Sequence, residues 1–398
     1  MTKTEDWIKL LNRVIKNDDF KEQKNAEIER CMELIRQGVG RNDIQAKIGK
    51  GKTESDILYE LARSRISTSS KYSMWNRLWL DHYLSSYSTP EIVCKYRSGR
   101  IKDSRVIDVG TGSGMQAIFM SQTNDKTISI DIKPERSKMA QLNSMEYDAR
   151  NLKFLTGDAY NLSESFEIDE NTVIFSDPER PPTTMERTMK QLIPSPENLI
   201  RVFGGRTRNF VFDLPPQMKM SSIGIEGEKE YLSVDGQLNR LTLYCGDLAE
   251  EEVSATVLPS NYRITGKPEE IEFPSEPEIT SIIAVPDVAI AYALLLGKLS
   301  EDYPITPSWR DNRRTVFSTE EHMKGFPGYQ YRVLSRVDGS NVNRELKRLD
   351  SSRVFPRFLI KDSEYYEIKR KWEEGLNGTN DIYVFRNGEI YFLCEEVV

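Results

Sequence analysis

A doubly wound α/β sheet with a ligand site at the carboxyl ends of its strands is the fold class this sequence predicts. A helical domain precedes it and a small α+β domain follows. Three observations predict it. The stretch RVIDVGTGSGMQ, residues 105–116, reads as a buried strand, a glycine loop and the start of a helix, the cradle that a nucleotide-like ligand requires. From residue 101 to about 250, apolar strands alternate with helical segments, as a doubly wound sheet demands. Three successive strands end on a carboxylate, Asp108, Asp131 and Asp158.

The bulk properties bound the reading. A chain of 398 residues suffices for two or three domains with their own cores. The net charge of −7 excludes a broad basic coat for duplex binding. The charge is uneven: residues 1–100 carry 19 Lys and Arg against 14 Asp and Glu, residues 101–304 carry 20 against 33, and residues 305–398 carry 16 against 15. An anionic partner would meet the two ends more readily than the middle, although ordinary surface variation explains the asymmetry equally well. Cys31, Cys94, Cys245 and Cys394 show no CxxC spacing and read as reduced thiols of a cytoplasmic protein. The polar start MTKTEDWIKL predicts no signal peptide. No apolar run approaches the ~20 residues needed to cross a bilayer, so no membrane partner is expected. With only His82 and His322 in the chain, neither a metal site nor a Ser-His-Asp triad is expected. Nothing in the sequence specifies an oligomeric state.

In chain order, residues 1 to about 100 read as helical. Trp7, Ile8, Leu10, Leu11, Val14 and Ile15 recur at helical spacing, as do Ile28, Met32, Leu34 and Ile35. Gly51-Lys52-Thr53 lacks the first glycine and the preceding strand of a phosphate loop, so it is not read as one. Tyr72, Trp75, Trp79, Tyr83 and Tyr87 stand at steps of three and four. That spacing predicts one helix face, either packed on the next domain or offered as a stacking platform for bases. Residues 88–97 predict a helix opening at Pro90 and leading into the glycine-loop strand.

The loop Gly110-Thr111-Gly112-Ser113-Gly114 lets a ligand approach bare backbone. A diphosphate has no use for the carboxylate of Asp108 at the strand end, whereas a ligand carrying an amino group does. The dinucleotide fingerprint would need a glycine where Met115 stands. Asp131 ends the second strand, 21 positions beyond Gly110, where a carboxylate binds ribose hydroxyls. The third strand leads to Thr156-Gly157-Asp158-Ala159, the fourth (172–176) to Asp177-Pro178-Glu179-Arg180, and the fifth (209–212) to Asp213. Each aspartate alone would also serve as a helix cap; the set of three is what carries the pattern. Residues 231–234 and 241–244 read as a hairpin with an Asp235-Gly236 turn. Residues 251–324 read as a proline-punctuated connector with one apolar helix over 288–296, and 325–398 as a βαβαββ module.

Asp108-x-Gly110-x-Gly112-x-Gly114 resembles the first motif of the class I S-adenosylmethionine-dependent methyltransferases at every fixed position. Together with TPEIVCKYRSGRI, SDPERP, EYLSVDGQLNRLTLYCGDL, VPDVAIAYALLLGKLS and the βαβαββ tail, the chain resembles members of that class carrying a THUMP-like C-terminal domain, over most of residues 70–398. The resemblance implies a Rossmann-like methyltransferase sheet of seven strands with a terminal antiparallel hairpin. It implies a helical domain over 1–98, a catalytic domain with connector over 99–324 and a THUMP-like domain over 325–398. S-adenosylmethionine would be bound by Asp108, Gly110, Thr111, Gly112, Gly114, Asp131, Ile132, Asp158 and Ala159, with Asp158 on the adenine amino group. The substrate implied is RNA, tRNA or rRNA.

Methyl transfer is an in-line displacement that needs alignment and exclusion of water rather than a covalent nucleophile. Asp177, Pro178, Glu179 and Arg180 occupy the acceptor-side motif. Enzymes of the class that methylate exocyclic base amines usually show Asp/Asn-Pro-Pro-Tyr/Phe there. Asp177 and Pro178 match it. Glu179 and Arg180 replace the second proline and the aromatic, which weakens the inference of amine methylation. A methyltransferase acting on a small molecule or a protein, and a non-catalytic cofactor-binding protein, are the competing readings.

Overall fold

The computed structural model describes residues 3–179, 189–276, 278–311 and 314–397. The chain forms two compact units, Met1–Gly227 with Thr242–Glu250, and Glu228–Leu241 with Glu251–Val398.

The first unit opens with helices α1 (Lys3–Lys16), α2 (Asp18–Arg36), α3 (Arg41–Ile48) and α4 (Lys52–Ser67). Asn17 starts α2 by accepting a hydrogen bond from the backbone N–H of Phe20 at 2.8 Å, which satisfies one orphan donor of the first turn. The expected apolar periodicity is real: Trp7, Leu11, Val14, Ile28 and Met32 are buried. They share one core with Met115, Ile118, Phe119, Met139 and Leu142 from the helices that follow the glycine loop.

The aromatic series at 72–87 does not form one helix. Only α5 (His82–Tyr87) is helical, followed by α6 (Glu91–Arg100), whose N-cap is Pro90 itself. Residues 69–81 run as turns and irregular chain, because their backbone finds partners elsewhere. Arg65 Nε donates to Leu78 O at 2.9 Å. Ser73 N donates to the Glu91 carboxylate at 2.7 Å. Trp79 N donates to Asn143 Oδ1 at 2.7 Å. With these bonds made, a helix would offer the segment nothing further.

Then come β1 (Arg105–Val109), α7 (Met115–Thr123), β2 (Lys126–Asp131), α8 (Pro134–Glu146), β3 (Leu152–Thr156), β4 (Val173–Ser176), α9 (Pro196–Phe203) and β5 (Asn209–Leu214). The order is β3-β2-β1-β4-β5, all neighbours parallel. The order reverses between β1 and β4, and this switch point opens a crevice at their carboxyl ends.

The second unit opens with β6 (Glu228–Val234) and the start of β7 (Gln237–Tyr244). Asp235 (φ 50°) and Gly236 (φ 71°) make the expected tight turn, with both residues left-handed as a type I′ turn needs. Next are β8 (Val253–Leu258), β9 (Tyr262–Gly266), β10 (Ile282–Pro286), α10 (Val288–Tyr292), α11 (Leu296–Asp302), β11 (Thr306–Arg310) and β12 (Thr315–Thr319). The order β7-β6-β8-β9 continues past the hairpin at which a seven-strand sheet would end. Among the described residues, the stretch expected as a connector thus holds five strands. The single helix expected over 288–296 breaks at Leu294, whose φ is 57°. The tail supplies β13 (Gly328–Asp338), α12 (Val342–Arg348), β14 (Ser351–Pro356), α13 (Asp362–Glu373), β15 (Asn380–Asn387) and β16 (Ile390–Val397) in the expected βαβαββ order. Its sheet runs β11-β12-β10-β13-β16-β15-β14, so β13 pairs on one side with β10 from the preceding stretch.

Candidate cofactor and acceptor site

β1 ends at Val109, and Gly110 (φ 103°), Gly112 (φ 54°) and Gly114 (φ 78°) carry the loop in left-handed conformations that cost side-chain-bearing residues about 1–2 kcal/mol each. Packing also requires Gly114: a Cβ there would stand 2.5 Å from the Cβ of Ala140 on α8. On the other two the space is open. A Cβ on Gly110 would meet nothing within 4 Å, and one on Gly112 would meet only Gly110 O and Leu84 Cδ2, both at 3.9 Å. Bare backbone facing open space is the cradle a nucleoside-bearing ligand needs, so these residues fit the expected cofactor.

Hydrogen bonds knit the loop to the neighbouring strand ends. Gly110 N and Thr111 N donate to Ile130 O at 2.9 and 3.2 Å. Gly112 N and Lys133 N donate to the two carboxylate oxygens of Asp131, at 3.0 and 2.9 Å. Burial pushes the Asp131 pKa up, and those two N–H groups oppose it. Ile132 beside it is 69 % exposed. Gly157 N donates to Asp131 O at 2.9 Å and brings in half-buried Asp158, whose carboxylate accepts from Tyr160 N at 2.9 Å. Ala159 is buried.

Asp108 lies buried at the end of β1, accepting from Ser129 Oγ at 2.6 Å. Ser129 Oγ lies 2.7 Å from Thr111 Oγ1, so a polar chain runs from the strand to the loop. Burial pushes the Asp108 carboxyl up to about 7; the Ser129 hydrogen bond opposes the rise, and the Asp131 and Asp177 charges add to it. A buried carboxyl held near neutrality among other acids is poised to meet a cation.

On the acceptor side, Ser176 Oγ donates to Val109 O at 2.8 Å and ties the end of β4 to the glycine loop. Asp177 follows, half-buried, with Pro178 buried behind it. Glu179 forms a two-bond bridge with Ile193, 2.7 and 2.9 Å, and its carboxylate pairs with Arg136 of α8. Arg180 lies outside the described residues. The other expected site residues all stand at the carboxyl ends of β1 to β4 or in the loops that follow.

Two features escaped the sequence reading. Arg97 of α6 is fully buried and donates to Asp213 at 2.6 Å and to Thr242 at 3.2 Å, with its other end on Gln116. Burial pulls its pKa down, but Asp213 and nearby acids, Asp177 among them, outweigh that and raise it. It is a fixed cation behind a set of carboxylates. In sequence it looked like any solvated arginine of a short helix. The second feature is the 69–87 segment as a strap across the loop. Asn143 Nδ2 donates to Ser113 O at 2.9 Å while its Oδ1 holds Trp79 N.

The model of the RNA cap guanine-N2 methyltransferase family matches residues 103–224, which include every one of the expected site residues. A crystal structure from Porphyromonas gingivalis W83 that bears a methyltransferase designation aligns with a TM-score of 0.71 at 16 % identity, covering 88 % of this chain and 92 % of that one. The protein is an S-adenosylmethionine-dependent methyltransferase.

Smaller parts of the enzyme align with TrmK of M. capricolum in complex with S-adenosyl-homocysteine (TM-score 0.27, 8 % identity, 38 % of this chain and 66 % of that one). A dimethyladenosine transferase from Plasmodium falciparum aligns with a TM-score of 0.23 at 16 % identity, over 31 % and 40 %. No curated protein matches the enzyme. Among the described residues, no helix is long and apolar enough to cross a membrane, and no group of three or more His, Cys, Asp or Glu is arranged to hold a metal. The four cysteines are buried and unbridged.

Proposed function

We propose that the enzyme methylates a base of an RNA, tRNA or rRNA, in the crevice at the β1/β4 switch point. The observation that carries the reading is that the stretch matching an RNA-methylating family, 103–224, holds both the glycine cradle and the acceptor loop. S-adenosylmethionine supplies an electrophilic methyl group on a sulfonium. The Gly110-Thr111-Gly112-Ser113-Gly114 loop takes its amino-acid portion, with Asp108 answering the ammonium. Asp131 takes the ribose hydroxyls, Ile132 covers one adenine face, and Asp158 and Ala159 meet the adenine edge. Asp177 and the Pro178 carbonyl accept hydrogens from the acceptor and orient it for in-line attack. Glu179 lines the mouth. The βαβαββ order of the tail supports reading 325–398 as a THUMP-like RNA-binding element.

The test is transfer of labelled methyl groups to unmodified cellular tRNA and rRNA, followed by nucleoside mass spectrometry. One methylated nucleoside in one RNA class is the expected result. Label found only in protein or in small molecules would overturn the RNA reading and leave the enzyme class intact.

A further inference from the structure

Tyr83 and Tyr87 lie one turn apart on α5 with ring centroids 4.8 Å apart, and both are exposed, 39 % and 68 %. Tyr87 leaves most of its surface to solvent, and Tyr83, partly packed on its neighbours, keeps about two-fifths of its own exposed. Their position is what gives them meaning. Leu84, between them, approaches Gly112 of the cofactor loop, so α5 sits at the rim of the crevice. The Arg136 guanidinium lies 4.9 Å from the Tyr83 ring centroid. The same guanidinium pairs with Glu179, two residues beyond Asp177. Glu179 is in turn locked by its bridge to Ile193, whose side chain is 64 % exposed. Arg136 and Glu179 also act electrostatically on Asp131. One network therefore joins the rim helix, the carboxylate expected on the ribose and the acceptor loop.

We propose that Tyr83, steadied by Arg136 and Glu179, is an acceptor-specificity residue of this enzyme: its ring is the platform on which a planar heteroaromatic acceptor stacks beside Asp177. The proposal rests on the reading of the acceptor as a nucleobase and adds which side chain selects it. Each element suits that occupant. A phenol ring stacks on any base face. A guanidinium beside it adds a cation–π component. The charged pair at the edge offers a donor and an acceptor to the rim of a heterocycle. An aliphatic acceptor would have no π-face to set on the ring. The second ring, Tyr87, extends the platform outward.

The experiment compares wild type with Tyr83→Leu and Tyr83→Phe, using three acceptor pools: unmodified cellular RNA, a panel of nucleosides and other heteroaromatic small molecules, and a peptide digest. Calorimetry with S-adenosylhomocysteine checks folding and the cofactor site. The expected result is that Tyr83→Leu lowers kcat/KM for the accepted substrate by about ten- to hundredfold, the scale of one lost base–aromatic stack. Its cofactor affinity should stay within about threefold of wild type, and Tyr83→Phe should restore most of the activity, because the ring and not the hydroxyl acts. Transfer only to heteroaromatic small molecules would overturn the RNA reading and leave the platform standing. Transfer only to peptides, transfer to none of the pools, a Tyr83→Leu effect below threefold, or equal loss in both variants would overturn the platform.

Discussion

Asp108 answers two opposed demands, and pH separates them. Its folded-state pKa of about 7 lies above the ~3.9 of an unfolded aspartate. Its stability contribution is therefore fully present below about pH 4, is lost as pH rises toward 7, and stays lost above it. Asp108→Asn should stabilise the free enzyme at pH 8 by roughly 2–4 kcal/mol, read by denaturant titration at pH 8. At pH 4 the gain should vanish. A bound ammonium would favour the ionised form, so S-adenosylhomocysteine affinity should rise between pH 6 and 8. Calorimetry in buffers of different ionisation heat should show proton release at pH 6. Equal affinity at both pH values would remove Asp108 from the ammonium site. At Gly112 the φ of 54° and the open space predict that Gly112→Leu folds with a penalty of about 1–2 kcal/mol while losing cofactor affinity, because the side chain fills the ligand's place. Calorimetric affinity equal to wild type would refute this. Asp177→Ala should keep that affinity within about threefold and lower kcat by about a hundredfold or more, as expected of a group that acts on the reacting complex. Turnover retained on the true acceptor would clear Asp177 of that role. These residues were legible in sequence because glycine loops and strand-end carboxylates are local patterns. Arg97 was not, since Asp213 and Thr242 stand 116 and 145 positions away.

The strap over residues 69–87 departs from the helix its spacing implies. Spacing by threes and fours predicted one helix. Yet Tyr72 and Trp79 point inward, buried, while Tyr83 and Tyr87 point outward. The spacing carries a helical period without a helix, because distant Arg65, Glu91 and Asn143 satisfy the backbone first. Asn143 is the joint. It holds Trp79 N and Trp79 O at 2.7 and 3.3 Å and donates to Ser113 O at 2.9 Å. Asn143→Ala should cost about 1–3 kcal/mol, since it orphans buried backbone groups. It should also weaken S-adenosylhomocysteine binding severalfold without touching the ligand. Denaturant titration beside calorimetry checks both, and lost stability with unchanged affinity would mean the strap does not support the loop. The hairpin at Asp235-Gly236 was readable for the opposite reason: two residues with positive φ specify the turn by themselves.

At the scale of the chain, sheet pairing decides what can be removed. The tail was expected to begin at 325, but β13 pairs with β10, and Ile283, Trp309 and Val316 share a core with Tyr331, Phe385 and Phe392. Deleting 325–398 would bare that core and an open strand edge, which invites aggregation. The truncated chain should elute as aggregate in size-exclusion chromatography and digest rapidly between 282 and 319. A monomeric, protease-resistant product would show that the sheet divides there after all. Substitution tests the proposed RNA contacts without that problem. Arg332 pairs with Glu395 at 2.9 Å and Arg357 lies over Tyr383, while Arg77 is held between Glu22 and Glu146 and has little charge to spare for a phosphate.

What the sequence determined alone is what neighbours in the chain enforce: the positive-φ glycines after β1, the carboxylates at strand ends, the apolar periods of the first helices and the βαβαββ order of the tail. A local rule needs only a few adjacent residues, and those are always present in the string. The tertiary structure decided the rest. It broke the 288–296 helix at Leu294, added β8 and β9 beyond the hairpin, gave β13 a partner from the stretch read as a connector, turned the aromatic series into a strap, and set Arg97 against Asp213. Each of these turns on which distant group reaches a backbone amide or a buried charge first, and that competition is resolved only when the chain is folded.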